Sequence, residues 1–204
     1  MAKILEMKHI SKSFGGSKAL SNVHFEMEEG EVHALLGENG AGKSTLMNIL
    51  TGFFFFFFFF IFFMGKEYVT PTIKEMENAG IAFVHQELNV INDLSVADNI
   101  FLRKELKTKL GLIDEKEQIK KTKELFESLG VEMNPSEMVS NLKTSEKQLL
   151  EICKALYSDA KLLILDEPTT ALSNDEIDHL FGILNRLKKT GKSFVFISHK
   201  MPEI

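Results

Sequence analysis

Residues 37–45 of the chain read GENGAGKST, with glycines at positions 37, 40 and 42. The first eight residues fit G-x-x-x-x-G-K-[ST], the pattern of a phosphate-binding loop that joins a strand to a helix. Glycines let consecutive backbone N–H groups turn toward phosphate oxygens without a Cβ in the way. The apolar stretch 31–36 precedes the loop, and Leu46, Ile49 and Leu50 follow it with helical spacing. The sequence therefore predicts a nucleotide site.

The loop residues divide into backbone and side-chain ligands of that nucleotide. Lys43 is expected to reach the β- and γ-phosphates, and the Ser44 hydroxyl is expected to ligate Mg²⁺. The helix that follows presents its positive end to the same anion. We predict contact with ATP for Gly37, Glu38, Asn39, Gly40, Ala41, Gly42, Lys43, Ser44 and Thr45.

Two acidic residues close the apolar stretch KLLIL at 161–165. Asp166 and Glu167 then stand at the carboxyl end of a strand, which is where α/β sheets bind ligands. An Asp in this place holds Mg²⁺ through its water shell, and the neighbouring Glu is suited to polarise an attacking water. A lone pair of acids would more simply cap the next helix; beside a phosphate-binding loop we interpret the pair as functional.

Hydrophobic patterning predicts an α/β protein with a helical insertion. Strands are expected within 4–14, 23–36, 81–84, 161–165 and 193–197, and helices from 88 to 160 and from 175 to 188. One helix is expected to begin at Asp114 and end at Gly130. The unbroken hydrophobicity of the last two strands indicates burial on both faces, as in a parallel sheet.

Composition narrows the function classes. The chain has 204 residues and a formal net charge of −5, which argues against a general nucleic-acid binder. Cys153 is the single cysteine, so no intramolecular disulfide forms. The N-terminal residues lack the apolar stretch of a signal peptide, and we expect a cytosolic protein.

Residues 53–60 are an unbroken run of phenylalanine, followed by IFFM. Twelve apolar residues are too few for a membrane-spanning helix, which needs roughly 20. We interpret the run as a loop whose true residues are undetermined, because such low complexity rarely lies inside a packed domain. A membrane-anchoring hairpin is the alternative.

Four motifs occur in order: GENGAGKST, VHQEL at 84–88, LLILDEPTTAL at 162–172 and FISHK at 196–200. Together they resemble the ATP-binding subunit of an ABC transporter. The segments GIAFVHQELNVINDLSVADNIFL and ISHKMPEI are similar to the sugar-import branch, which handles ribose, galactose or xylose. The resemblance implies a P-loop NTPase fold: a RecA-like core with a parallel sheet and an N-terminal antiparallel β subdomain (1–87 and 161–204), and an inserted α-helical signature subdomain (88–160).

The resemblance also assigns roles to single residues. Phe14 would stack on adenine, and Gln86 would contact Mg²⁺ and the γ-phosphate. Glu167 would be the general base, and His199 would contact the γ-phosphate and hold the catalytic geometry. Taken without the family, Phe14 reads as an ordinary core residue, Gln86 as a buried amide and His199 as a structural histidine.

Residues 142–146 depart from the family's LSGGQ signature and read LKTSE. Lys143 replaces the serine that would meet the γ-phosphate of the opposing domain's nucleotide, and Glu146 replaces the glutamine. A carboxylate near a triphosphate is electrostatically unfavourable. Ser145 and Gln148 have the spacing of a capping box, which predicts a helix start at this point. We therefore expect a competent local site and a weakened site on the partner domain.

The resemblance implies ATP hydrolysis that powers import of a sugar, at the cytoplasmic face of the membrane. Expected partners are membrane permease subunits, a second ATPase domain in head-to-tail arrangement and, indirectly, a periplasmic or extracellular sugar-binding protein, with no nucleic acid. The chain resembles an N-terminal ATPase half or a fragment. The alternative is a nucleotide-gated clamp, or an ABC ATPase outside transport, with little intrinsic hydrolysis.

Overall fold

A computed structural model describes residues 2–54, 60–170 and 172–199. The strands are β1 (Lys3–Phe14), β2 (Ser17–Glu28), β3 (Val32–Leu36), β4 (Phe60–Phe63), β5 (Lys66–Tyr68), β6 (Ile81–Val84), β7 (Leu162–Asp166) and β8 (Ser193–Ser198). The helices are α1 (Lys43–Leu50), α2 (Ile73–Ala79), α3 (Val96–Phe101), α4 (Glu115–Leu129), α5 (Thr144–Tyr157) and α6 (Asn174–Lys188). Most of the phenylalanine run and the tail of the ISHKMPEI segment lie outside the described residues.

The chain divides into two compact units. The first contains residues 1–84, 160–168 and 184–204, and the second contains residues 85–159 and 169–183. The division expected from the sequence, with a core of 1–87 and 161–204 and a helical subdomain of 88–160, stays a prediction. Residues 169–183, which the sequence placed with the core, group with the helical unit instead.

An antiparallel sheet occupies the N-terminal part of the first unit, with strand order β2-β1-β4-β5. Leu5 and Met7 of β1 are fully buried, because alternate residues of a strand face the same side. Ile61 and Phe63 of β4 are buried in the same core. Phe60, the last residue of the phenylalanine run, pairs with Lys8 in the β1–β4 ladder. We expected the whole run to be a loop. This expectation is wrong at the end of the run, because Phe60 belongs to strand β4.

A parallel sheet forms the rest of the first unit, with strand order β3-β8-β7-β6. The expectation of strands buried on both faces is confirmed, since Leu162–Leu165 and all six residues of β8 are buried. β8 lies between β3 and β7 and pairs with both in parallel. The P-loop NTPase fold with an additional antiparallel sheet, predicted from the sequence, is thus the observed one.

The second unit is helical, and buried polar residues organise it. Asn99 of α3 is fully buried; its side chain accepts from the Ile91 N–H (2.8 Å) and donates to the Ile91 and Ser95 carbonyls (both 3.0 Å). α4 runs as predicted, with Asp114 capping its first turn and Gly130 ending it in a left-handed conformation. Burial raises the pKa of Cys153 on α5 to about 12, so this thiol stays protonated at neutral pH.

The predicted start of α5 is wrong by two residues. The helix begins at Thr144, with Lys143 as its N-cap residue. The Glu146 carboxylate accepts the backbone N–H of Lys143 at 2.7 Å and so satisfies one donor of the helix start. Ser145 therefore lies inside the first turn instead of capping it. Within the described ranges, no helix has the length and apolar character needed to cross a bilayer.

Gly52 joins α1 to the antiparallel sheet at a point of very close backbone contact. Its φ is +76°, and a Cβ at this position would lie 2.5 Å from the Pro71 carbonyl oxygen. We expect Gly52→Ala to lower the free energy of unfolding by roughly 2–4 kcal/mol, because left-handed strain and a backbone clash combine. Denaturant titration followed by circular dichroism measures this.

The matched control is Gly182→Ala in α6. A Cβ there meets nothing within 4 Å, so the substitution should stabilise the chain by about 1 kcal/mol through helix propensity. Equal stabilities of the two variants would contradict the close approach at Gly52.

Candidate nucleotide-binding site

Three strand ends meet at one edge of the parallel sheet. β3 ends at Leu36, beside Ser198 at the end of β8, and Asp166 at the end of β7 pairs with Ile197. The residues that follow β3 and β8 and the residues that close β7 therefore share one edge. All of them belong to the first unit.

The loop after β3 turns sharply and leads directly into α1. The Ala41 N–H donates to the Glu38 carbonyl at 3.1 Å. Gly42 has a φ of +92°, and a Cβ there would lie 2.8 Å from both the Ala19 carbonyl oxygen and Leu20 Cδ2. A side chain at this position would push the loop away from β2, so glycine is required for the loop's path and not for flexibility alone.

The N-terminus of α1 is well suited to an anion. No side chain caps the helix at Gly42, and its first turn holds no acidic residue. The first N–H groups of a helix have no partner within the helix, and its dipole favours negative charge there. The starts of α2, α3 and α4 carry a capping hydroxyl or carboxylate, so the start of α1 differs from these three in the way that a phosphate site requires.

Lys43 brings a positive charge to the same loop. Its ammonium donates to the Gly37 carbonyl at 2.5 Å and to the Glu38 carbonyl at 2.9 Å. The side chain is thereby folded against the loop and not extended into solvent. An ammonium held in this way supplies a fixed point charge for the terminal phosphates of a nucleotide.

Ser44 and Asp166 form a pair of oxygen ligands. The Ser44 hydroxyl donates to the Asp166 carboxylate at 3.2 Å, which joins the first turn of α1 to the end of β7. In the described part of the chain, no three His, Cys, Asp or Glu side chains group to hold a metal ion by themselves. A hydroxyl, one carboxylate and the phosphates of a bound nucleotide are the ligand set that Mg²⁺ accepts. The Ser44 hydroxyl and the Asp166 carboxylate therefore suit a Mg²⁺ ion that is also bound by nucleotide phosphates.

Glu167 leaves the strand in a strained conformation. Its φ is +49°, a left-handed value that is uncommon for any residue other than glycine. The Glu167 N–H donates to the Ile197 carbonyl at 3.0 Å, which holds the turn against β8. Strain of this kind persists where the surrounding structure imposes it, and functional sites are a common location.

His199 hydrogen-bonds to the Glu167 carboxylate. The Nδ1 and Oε1 atoms are 2.7 Å apart, and the carboxylate side chain is 12% exposed against 36% for the imidazole. A carboxylate has no hydrogen to give, so the Nδ1–H donates. The sequence predicted roles for both residues but not this bond. Glu167 and His199 directly follow β7 and β8, and the pairing of these two strands brings their side chains together. The sequence predicted both strands but not that they are neighbours.

Phe14 lies on the surface at the end of β1 and is 44% exposed. It is therefore not the ordinary core residue of the alternative interpretation. Its ring centroid is 5.4 Å from that of Phe54, and the Lys12 ammonium lies 4.5 Å from the Phe14 centroid. Enough of the ring is accessible for stacking, and its contact with adenine stays a prediction.

Gln86 belongs to the second unit and follows β6 by two residues. Its side chain is exposed, so it is not a buried structural amide. Its predicted contacts with magnesium and the γ-phosphate stay a prediction.

The altered signature segment is tied to α6 within the second unit. Glu176 accepts the Ser173 N–H at 2.8 Å and the Ser173 hydroxyl at 2.9 Å. These bonds, a further one from the Ser145 hydroxyl and the nearby charge of Lys143 hold the pKa of Glu176 below its usual value. Sequence reasoning missed Glu176, although Ser-x-x-Glu at 173–176 is itself a capping pattern.

The loop at the carboxyl edge of a parallel sheet, its lysine and the Ser44–Asp166 pair define a P-loop nucleotide-binding domain. The model of the family described as ABC transporter matches residues 20–170. The chain belongs to the ABC transporter family.

Two curated relatives match almost the whole chain in sequence. The chain is 48% identical over 200 residues to the ribose import ATP-binding protein RbsA of Lacticaseibacillus paracasei, covering 98% of this chain and 40% of the relative. It is 49% identical over 203 residues to the L-arabinose transport ATP-binding protein AraG of Geobacillus stearothermophilus, covering 98% and 39%. The chain thus spans about two fifths of the length of these relatives.

A solved structure agrees with the fold throughout the chain. The ADP conformation of MJ1267, an ATP-binding cassette of an ABC transporter, superposes with a TM-score of 0.86 at 26% identity. The match covers 98% of this chain and 83% of that one. The sequence-based assignment to the ABC family is confirmed.

Proposed function

We propose that the chain is an ATP-binding and ATP-hydrolysing domain that powers import of a sugar through an ABC transporter. The observation that carries the hydrolytic part is the 2.7 Å bond between His199 and Glu167. It lies at the same sheet edge as the phosphate-binding loop. A domain that only closed on nucleotide would not need a carboxylate held in a strained turn beside that loop.

Binding rests on the loop and on residues at its rim. Residues 37–45 cradle the phosphates with backbone N–H groups, and Lys43 contacts the β- and γ-phosphates. Phe14 stacks on adenine through its exposed face. Ser44, Asp166 and Gln86 hold Mg²⁺, which when bound neutralises charge on the triphosphate.

Hydrolysis needs a base close to the γ-phosphate. Glu167 accepts a proton from the water that attacks the phosphorus in line, and its carboxylate is mostly shielded from bulk solvent. His199 holds that carboxylate in position through its Nδ1–H and contacts the γ-phosphate. Most of the acceleration in phosphoryl transfer comes from such positioning and from electrostatic stabilisation.

The transport role follows from the relatives. Proteins named for ribose import and L-arabinose transport are nearly half identical to the chain over almost its whole length. We infer a peripheral position at the cytoplasmic face of the membrane, contact with permease subunits and, indirectly, a sugar-binding protein. A second ATPase domain packs head to tail, so that residues 142–146 meet the partner's nucleotide.

The first test compares Mg²⁺-dependent ATP hydrolysis of the chain with that of Lys43→Ala and Glu167→Gln, with and without the permease. Lys43→Ala should abolish nucleotide binding. Glu167→Gln should keep binding and lower turnover about a hundredfold or more, since it removes the general base.

Glu67→Gln on β5 is the matched control, because this carboxylate is exposed and lies outside the site. Its turnover should equal that of the unaltered chain. Binding of ATP with no hydrolysis in any assembly, or full turnover in Glu167→Gln, would contradict the proposal and favour a nucleotide-gated clamp.

The second test restores the signature in the assembled transporter. Changing Lys143→Ser, Thr144→Gly, Ser145→Gly and Glu146→Gln should raise turnover several-fold, because the segment then presents a hydroxyl and close backbone approach to the partner's γ-phosphate. A glutamine at 146 keeps the side-chain bond to the helix start. Steady-state ATPase assays measure the effect.

The restored segment also lacks the hydrogen bond from the Ser145 hydroxyl to Glu176, and Ser145→Gly alone is the control for this loss. It should leave turnover close to that of the unaltered chain. Unchanged turnover in the fully restored variant, at an unchanged melting temperature, would show that the altered segment does not limit the partner site.

A further inference from the structure

A small β-hairpin at residues 106–114 extends from the second unit, before α4. Lys107 and Ile113 face each other in an antiparallel bridge. The Thr108 N–H donates to the Leu112 carbonyl at 2.8 Å, and the Gly111 N–H donates to the Thr108 carbonyl at 2.9 Å. Gly111 has a φ of +80°, which closes the turn. The tip is therefore hydrogen-bonded and has a defined shape.

The base of the 106–114 hairpin is fixed to the helical core. The Leu106 N–H donates to the side-chain carbonyl of Gln118, which is 1% exposed. The Asp114 N–H donates to the Leu106 carbonyl at 2.8 Å, and the Asp114 carboxylate caps α4. The hairpin thus projects from an anchored base.

Three large apolar side chains stand exposed on this hairpin. Leu110 is 87% exposed, Leu112 is 68% exposed and Ile113 is 54% exposed. A single exposed leucine or isoleucine is ordinary on a protein surface, but three such side chains on one turn indicate a contact surface. They gain free energy from any apolar environment that the tip can enter.

The same segment is basic in an acidic protein. Residues 103–114, which are the hairpin and the three residues before it, contain four basic and two acidic residues and carry a formal charge of +2, while the whole chain carries −5. Arg103, Lys104, Lys107 and Lys109 are all exposed. The Glu105 carboxylate turns back to accept the Arg103 N–H at 3.0 Å. Among the described residues, no acidic side chain forms an ion pair with Lys107 or Lys109.

We propose that the 106–114 hairpin docks on an anionic lipid bilayer. Leu110 and Leu112 enter the boundary between headgroups and acyl chains, and Lys107 and Lys109 lie against the lipid phosphates. Exposed apolar residues combined with basic ones are the pattern of a surface that binds anionic membranes. A free phosphate would use the lysines alone and leave the leucines in water. The proposal is independent of nucleotide hydrolysis.

The test is sedimentation of the chain with phosphatidylcholine vesicles, with and without phosphatidylglycerol. The chain should bind the phosphatidylglycerol vesicles. Two double variants, Leu110→Ser with Leu112→Ser and Lys107→Glu with Lys109→Glu, should each weaken binding about tenfold or more. These residues are exposed, so the melting temperature should not change.

Matched controls come from the first unit. Val69→Ser removes a side chain that is 68% exposed, and Lys74→Glu with Lys189→Glu reverses two exposed charges. Both should bind vesicles as the unaltered chain does. Because the chain has no tryptophan, Leu110→Trp adds a single reporter, whose emission should shift to shorter wavelength with phosphatidylglycerol vesicles. Val69→Trp should show no shift.

Three results would overturn the proposal. The first is equal binding to both kinds of vesicle, or no binding. The second is binding that survives both hairpin double variants, which would point to another apolar surface such as Phe53. The third is normal vesicle binding by the hairpin variants together with lost stimulation by the permease, which would make the hairpin a protein contact.

Discussion

The pairing of β8 with both β3 and β7 is the constraint on which the site depends. Parallel strands bring their carboxyl ends to one edge, and this order places the ends of three strands side by side. The phosphate-binding loop, Asp166 and His199 are far apart in sequence and meet only through this sheet. Its two central strands, β7 and β8, are buried on both faces, as is usual in a parallel sheet.

Three features at this edge of the parallel sheet are locally unfavourable. Glu167 adopts a left-handed conformation, and Gly42 passes so close to β2 that no side chain fits. The start of α1 has no capping side chain. Each feature would weaken an isolated segment, and the buried sheet holds all three in place. Local rules of sequence and structure are thus broken where an anion and its magnesium ion are to bind.

Local structure was predicted correctly where a residue type at a given spacing has a single common structural role. The loop at 37–45, the buried strands and the cap at Asp114 were all readable from spacing and hydrophobicity. The start of α5 was not, because the Glu146 carboxylate accepts the Lys143 N–H and the N-cap residue is Lys143, not Ser145. The grouping of 169–183 with the helical unit depends on packing between segments distant in sequence, which no local pattern encodes. The Glu167–His199 hydrogen bond could not be predicted either, because predicting it requires knowing that β7 and β8 are neighbours in the sheet.

The central claim is that the loop and the end of β7 form one site for a nucleotide and its magnesium ion. Calorimetric titration of ATP, with and without Mg²⁺, into the chain and into Asp166→Asn tests it most directly. Mg²⁺ should increase the affinity of the unaltered chain for ATP. In Asp166→Asn, this increase in affinity should be smaller by roughly tenfold or more. An Asp166→Asn variant that keeps the full magnesium dependence would contradict the account.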